Sequence, residues 1–71
     1  MDELGAAREQ LVDAAWQVLA RTGFEGFKVS SVIRATGVST RTFYRCFSSK
    51  DDLFVELLVD ETRRAAERIV R

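Results

Sequence analysis

Residues 28–47, KVSSVIRATGVSTRTFYRCF, leave the chain few ways to fold. Two short apolar patterns meet there at Gly37. Before the glycine, Val29, Val32 and Ile33 stand at i, i+3 and i+4, which predicts a two-turn helix over 29–36. After it, Phe43 and Phe47 stand four apart and share a face, which predicts a second helix over 40–47. Ser39 is a good N-cap for that helix, and Gly37 can take the left-handed conformation that stops the first. Lys28 is a poor cap. Valine and isoleucine also suit a strand, but one strand of this length has no partner elsewhere in the chain.

Both flanks read as longer helices. Over residues 3–21, Leu4, Ala7, Leu11, Ala14, Ala15, Val18 and Leu19 follow helical spacing, with Trp16 at the margin of the stripe. Gly23 is placed to end this helix, and Phe24 and Phe27 are expected to dip into the core from the loop. A last helix is expected over 50–70. Ser49 and Asp52 form a variant of the capping box, and Asp51 and Asp52 suit the positive end of the helix dipole. Phe54, Leu57 and Leu58, continued by Glu61 and Ala65, mark its expected inner stripe. The later part, ETRRAAERIVR, has few apolar residues and looks like a helix meant to pack on something beyond residue 71. The fold class is therefore all-α: one small helical bundle over 1–71. A chain of this size buries only about 60% of the surface it exposes when unfolded. The expected core is Leu11, Ala15, Val18, Leu19, Val29, Val32, Phe43, Phe47, Phe54 and Leu57.

Charge is segregated along the chain. Lys28, Arg34, Arg41, Arg45 and Lys50 lie in a stretch, 28–50, that contains no Asp or Glu, although the whole chain balances 11 basic against 11 acidic residues. One positive face and a negative remainder would orient the molecule toward a polyanion. The single cysteine, Cys46, has no disulfide partner, and with no histidine in the chain it has no company for a metal site. No cofactor, metal or catalytic residue is expected: there is no pocket-forming carboxylate pair and no phosphate-binding glycine loop. No apolar run approaches the ~20 residues of a membrane span, no signal peptide is visible, and a cytoplasmic location is expected.

Two short helices joined by TGVS, between two long ones, have the arrangement of a helix-turn-helix, whose second helix enters the major groove of double-stranded DNA. A carboxylate on that face would meet phosphate repulsion at every register, since DNA carries one negative charge per about 1.7 Å of axis. The face of 40–47 opposite Phe43 and Phe47 offers Thr40, Arg41, Tyr44 and Arg45, with Thr42 at its edge. Thr40, Arg41, Thr42 and Arg45 are candidates for base edges: arginine can bridge O6 and N7 of guanine, and a threonine methyl can pack on thymine. Lys50, at the start of the last helix, is a candidate phosphate contact, as are Ser30 and Ser31 from the second helix. Lys28 and Arg34 add to the field. The rival reading is a small helical protein-interaction module.

The run GFEGFKVSSVIRATGVSTRTFYRCFSSKDDLF resembles the N-terminal DNA-binding domain of the tetracycline-repressor (TetR) family of transcriptional regulators. Gly23, the TGVS turn, TFY, Phe47 and SSKDDL carry the likeness, which extends from Arg8 to about Leu58. The chain departs from the usual family pattern at Lys28, Ile33, Arg41 and Cys46. The resemblance implies a homeodomain-like head with a long fourth helix, a phosphate-contacting role for Tyr44, and a parent that reads an operator, as a repressor, in the form of a homodimer. It further implies a separate C-terminal domain that dimerises and takes a small-molecule inducer. The 71 residues are expected to be a fragment lacking that domain, and a monomer on their own.

Overall fold

The computed structural model describes residues 3–70. Within the described residues four helices follow one another: α1 (Glu3–Gly26), α2 (Val29–Thr36), α3 (Thr40–Cys46) and α4 (Lys50–Val70). No strand occurs among the described residues. The fold is all-α, as the periodicity predicts. α1 is the hub and packs against each of the other three.

α1 outruns the expected 3–21. Its regular part is interrupted at Gly23, whose φ of 71° and ψ of 176° lie outside helical space, and a short turn then runs to Gly26. The positive φ is why a glycine stands here. Phe24 and Phe27 part company after it. Phe27 is buried as expected, but Phe24 is 70% exposed and does not enter the core; its ring meets only the edge of Phe54, centroids 5.5 Å apart. Phe54 is already covered from within by Phe27, at 5.0 Å, which leaves Phe24 the outer side.

The core joins Leu11, Val12, Ala14, Ala15 and Val18 of α1 to Phe27, Val32, Phe43, Phe47, Leu53 and Leu57. Leu19, Val29 and Phe54, expected at its centre, are half-buried and pack against its edge, while Leu4 is exposed. The register of α4 differs from the expected stripe. Leu53, Leu57 and Asp60 face inward, whereas Leu58 is 69% exposed and Glu61 is exposed. Leu53 joins Leu57 in the core, and a buried carboxylate extends that face outward along the helix. Trp16 Nε1 donates to Asp60 Oδ2 at 2.9 Å, Arg63 Nη2 to Oδ1 at 2.6 Å, and Arg64 Nε lies 3.0 Å from Oδ2. Trp16 thus gives its N–H a partner at the margin of α1, and that bond holds Asp60 on the inward side that Leu53 and Leu57 share. Arg64 also reaches Asp13 on α1 at 3.4 Å.

Burial pushes the Asp60 carboxyl up. The hydrogen bonds from Trp16 and Arg63 and the charges of Arg64 and Arg63 outweigh that and hold it below its ordinary value. A carboxyl whose folded pKa is depressed contributes stability above its unfolded pKa and loses it as pH falls through the folded one. Asp60→Asn should therefore lower the melting temperature at pH 7. The gap to the parent should narrow as pH falls below about 4, the unfolded carboxylate range. Thermal melts across pH 2–7 check this; a gap independent of pH would remove Asp60 as the titrating group.

Candidate nucleic-acid interface

Local chemistry builds the α2–α3 unit. Lys28 precedes α2 in extended conformation and makes no side-chain cap, as its residue type predicts. Gly37 ends α2 at φ 77°, ψ 2°, with its N–H on Ile33 O at 2.9 Å. Thr36 completes the turn: its hydroxyl donates to Ile33 O and accepts from the Val38 N–H, both at 3.0 Å. Ser39 then caps α3, its Oγ accepting the Thr42 N–H at 3.0 Å. α3 is one residue shorter than expected, because Phe47 leaves the helix in extended conformation while its N–H still bonds Phe43 O at 2.8 Å.

The anchoring face of α3 is Phe43 and Phe47, 0% and 1% exposed, with ring centroids 5.6 Å apart. The opposite face presents Thr40, Arg41, Tyr44 and Arg45, all exposed. Their i, i+4 spacing aligns Thr40 with Tyr44 and Arg41 with Arg45. The Tyr44 ring stands edge-on to Phe43 at 5.0 Å, so a core residue holds an exposed one in place. Thr42 is half-buried and engaged in the cap, where its hydroxyl accepts from Ser39 Oγ at 3.0 Å. On α2, Ser30 is exposed and Ser31 half-buried.

Lys50 is exposed at the start of α4. That end is already supplied with anions: Asp51 and Asp52 lie in the first turn, and Asp52 Oδ2 accepts the Ser48 N–H at 2.9 Å. The Asp52 N–H in turn bonds Ser49 Oγ at 3.1 Å. The expected capping box is present, with its reciprocal bond displaced to Ser48.

The cations divide in two sets. Arg8, Arg63, Arg64 and Arg68 each pair with a carboxylate. Among the described residues Arg21 on α1 and Lys28, Arg34, Arg41, Arg45 and Lys50 take part in no ion pair, and five of these six fall between residues 28 and 50. The middle of the chain therefore carries uncompensated positive charge on the elements that form the turn motif. No group of acidic or cysteine side chains among the described residues is arranged to hold a metal, and no described helix is long and apolar enough to cross a membrane.

The family model described as "Bacterial regulatory proteins, tetR family" matches residues 11–57, which takes in most of α1, both short helices and the first turns of α4. The chain belongs to the tetR family. Similar proteins include the fatty acid metabolism regulator protein of Bacillus subtilis, 32% identical over 60 residues, covering 84% of this chain and 31% of that protein. An HTH-type transcriptional repressor of Mycobacterium tuberculosis is 34% identical over 65 residues, covering 92% and 35%. The repressor AcnR of Corynebacterium diphtheriae is 31% identical over 65 residues, covering 92% and 34%. The chain spans about a third of the length of these curated relatives. No solved structure matches it significantly. The tetR match ends at residue 57, so the outer two-thirds of α4 lies beyond it.

Two residues outside the sequence-based candidates tie together the helices around this face. Arg8 and Asp60 fix α1 against α4, and Arg8 also touches the end of α3. A carboxylate at i+3 from Leu57, on the buried side of an amphipathic helix, and an indole at the margin of α1 needing an acceptor were the available signals for the second.

Proposed function

We propose that this chain is the DNA-reading head of a tetR-type transcriptional repressor and that α3 is its recognition helix. The observation that carries this is the exposed Thr40, Arg41, Tyr44, Arg45 face on a helix whose cations are unpaired, within a stretch free of carboxylate. Thr40, Arg41 and Arg45 approach base edges. Tyr44 and Ser30 meet backbone phosphates, with Ser31 and Lys50 at the periphery. Thr42 contributes mainly by holding the cap. Operator reading in the parent uses a homodimer, and any small-molecule inducer acts through a companion domain; the threefold greater length of the relatives supports room for one.

Random-sequence duplex titrated at increasing salt tests this. If two to four of the five unpaired cations between residues 28 and 50 meet phosphates, log affinity should fall with log salt at a slope of about −2 to −4. No binding even at low salt would favour the second reading, a helix-docking module. That reading has its own support: Val55, Leu58, Val59 and Ile69 of α4 are exposed.

The two kinds of contact should separate by mutation. Arg45→Ala should cost about 1–3 kcal/mol on the preferred duplex and relax preference at one position, while Tyr44→Phe should weaken all sequences alike. Selection from a random duplex library with each variant reads both effects, and identical sequence profiles would undo the division of labour.

A further inference from the structure

Arg8 projects from α1 and its guanidinium meets α3, α4 and the ring of Phe47 between them. Nη1 donates to the backbone carbonyl of Cys46 at 3.1 Å, and Nη2 donates to Glu56 Oε1 of α4 at 2.7 Å. The guanidinium carbon lies 4.7 Å from the centre of the Phe47 ring. Cys46 is the last residue of α3, so the first bond satisfies a terminal carbonyl that has no partner within the helix and places a cation at the negative end of the helix dipole. The ring contact holds the residue at which the chain turns out of α3. Nearby, Cys46 Sγ lies 3.8 Å from Leu4 O, a second link between the same end of α3 and α1.

We infer that Arg8 is a positioning residue for DNA recognition: it fixes the C-terminal end of α3 against α1 and α4, and so sets the angle at which Arg41 and Arg45 are presented. The inference rests on the proposed DNA-reading role. A seven-residue helix has few internal hydrogen bonds to hold its own direction, and α3 is anchored on the core side by the buried rings of Phe43 and Phe47, with Cys46 half-buried at the core's edge. Those two rings fix its depth and leave rotation about their contact. A planar fork that bonds a carbonyl, pairs with a carboxylate and stacks on a ring removes that freedom. Lysine supplies the charge without the fork or the flat face.

Arg8→Lys and Arg8→Met test this, each compared with the parent in two measurements on the whole chain. The first is amide hydrogen exchange. Both variants should stay folded, and the amides of Arg45, Cys46 and Phe47 should exchange about tenfold faster while those of α2 change little. The second is the ratio of affinity for a duplex enriched by the parent from a random library to affinity for random duplex. That ratio should fall roughly tenfold, about the worth of one well-placed base contact, while Arg8→Lys leaves the salt slope unchanged. Faster exchange spread evenly over all four helices would overturn the inference and leave Arg8 as general stabilisation. So would an Arg8→Lys chain with unaltered α3 exchange or an unaltered affinity ratio. If the parent itself binds no DNA, the proposed function fails and the aiming role fails with it. Localised exchange in that case would still assign Arg8 to the α3 terminus.

Discussion

Phe47→Ala should remove a large share of the chain's stability and lower its melting temperature steeply. The ring is 1% exposed, packs 5.6 Å from Phe43 and lies under the Arg8 guanidinium. Removing a buried phenylalanine costs about 3–5 kcal/mol, through lost transfer energy and the cavity left behind. A domain of 71 residues has on the order of 4–10 kcal/mol in total. The backbone there has already left the helix, so the helix gains nothing from alanine's high propensity. Phe24→Ala is the control, because the same chemical change at a ring 70% exposed should shift the melt only slightly. Thermal unfolding followed by far-ultraviolet circular dichroism decides it. A cooperative Phe47→Ala transition near the parent's would mean that the core is not centred on the Phe43–Phe47 pair.

The second large effect is expected from pairing two chains. An operator read by two heads about one helical turn apart needs both at fixed spacing. The chain alone should sediment as a monomer and bind in the non-specific range, about 10⁻⁴ to 10⁻⁶ M at physiological salt. By sequence, Arg63, Arg64, Arg68 and Arg71 make the end of α4 too charged to form a dimer seam, but ion pairs moderate that charge. Arg63 and Arg64 are taken up by Asp60 and Asp13, and Arg68 pairs with Glu61 at 3.7 Å, so the helix end is less charged than its composition suggests. Arg71, counted in the same expectation, lies outside the described residues. Fusion to an unrelated dimerisation domain of suitable geometry should raise affinity for a two-site duplex by ~10²–10⁴-fold with no new base contact. Affinity for a one-site duplex should rise far less. Equal gains on both duplexes, or a dimer of the unfused chain in analytical ultracentrifugation, would show that pairing does not limit affinity here.

What the sequence made legible was local. Ser39, Gly37 and the Phe43–Phe47 spacing each specify their own few residues of backbone, and the structure follows them. The exposed face of α3 follows in turn, since fixing two buried positions four apart leaves Thr40, Arg41, Tyr44 and Arg45 outside. Apart from helix ends, such as Gly26 for α1 and Cys46 for α3, the misses are matters of tertiary partnership. Asp60 reads as a surface residue until Trp16 is brought within 2.9 Å of it, and taking it so moves the inferred stripe of α4 round to Leu58. Phe24 and Phe27 have the same residue type and similar neighbours in sequence; only the placement of Phe54 decides which one is covered. Arg8 looks like an ordinary helix-surface arginine, because the carbonyl and ring it serves are 38 and 39 residues away.

The shortness of α2 and α3, eight and seven residues, has a consequence for the molecule as a switch. Isolated helices below ~12–15 residues are marginal in water, so neither persists unless α1 is folded beneath it. A partly melted head offers DNA no recognition surface, and occupancy of a site tracks the folded fraction of the head directly. Mass action runs the other way as well. A duplex that binds only the folded state draws the population toward it, by RT ln(1 + [L]/Kd). Duplex-bound heads should then resist unfolding and proteolysis better than free ones, by the same factor that binding adds to their stability.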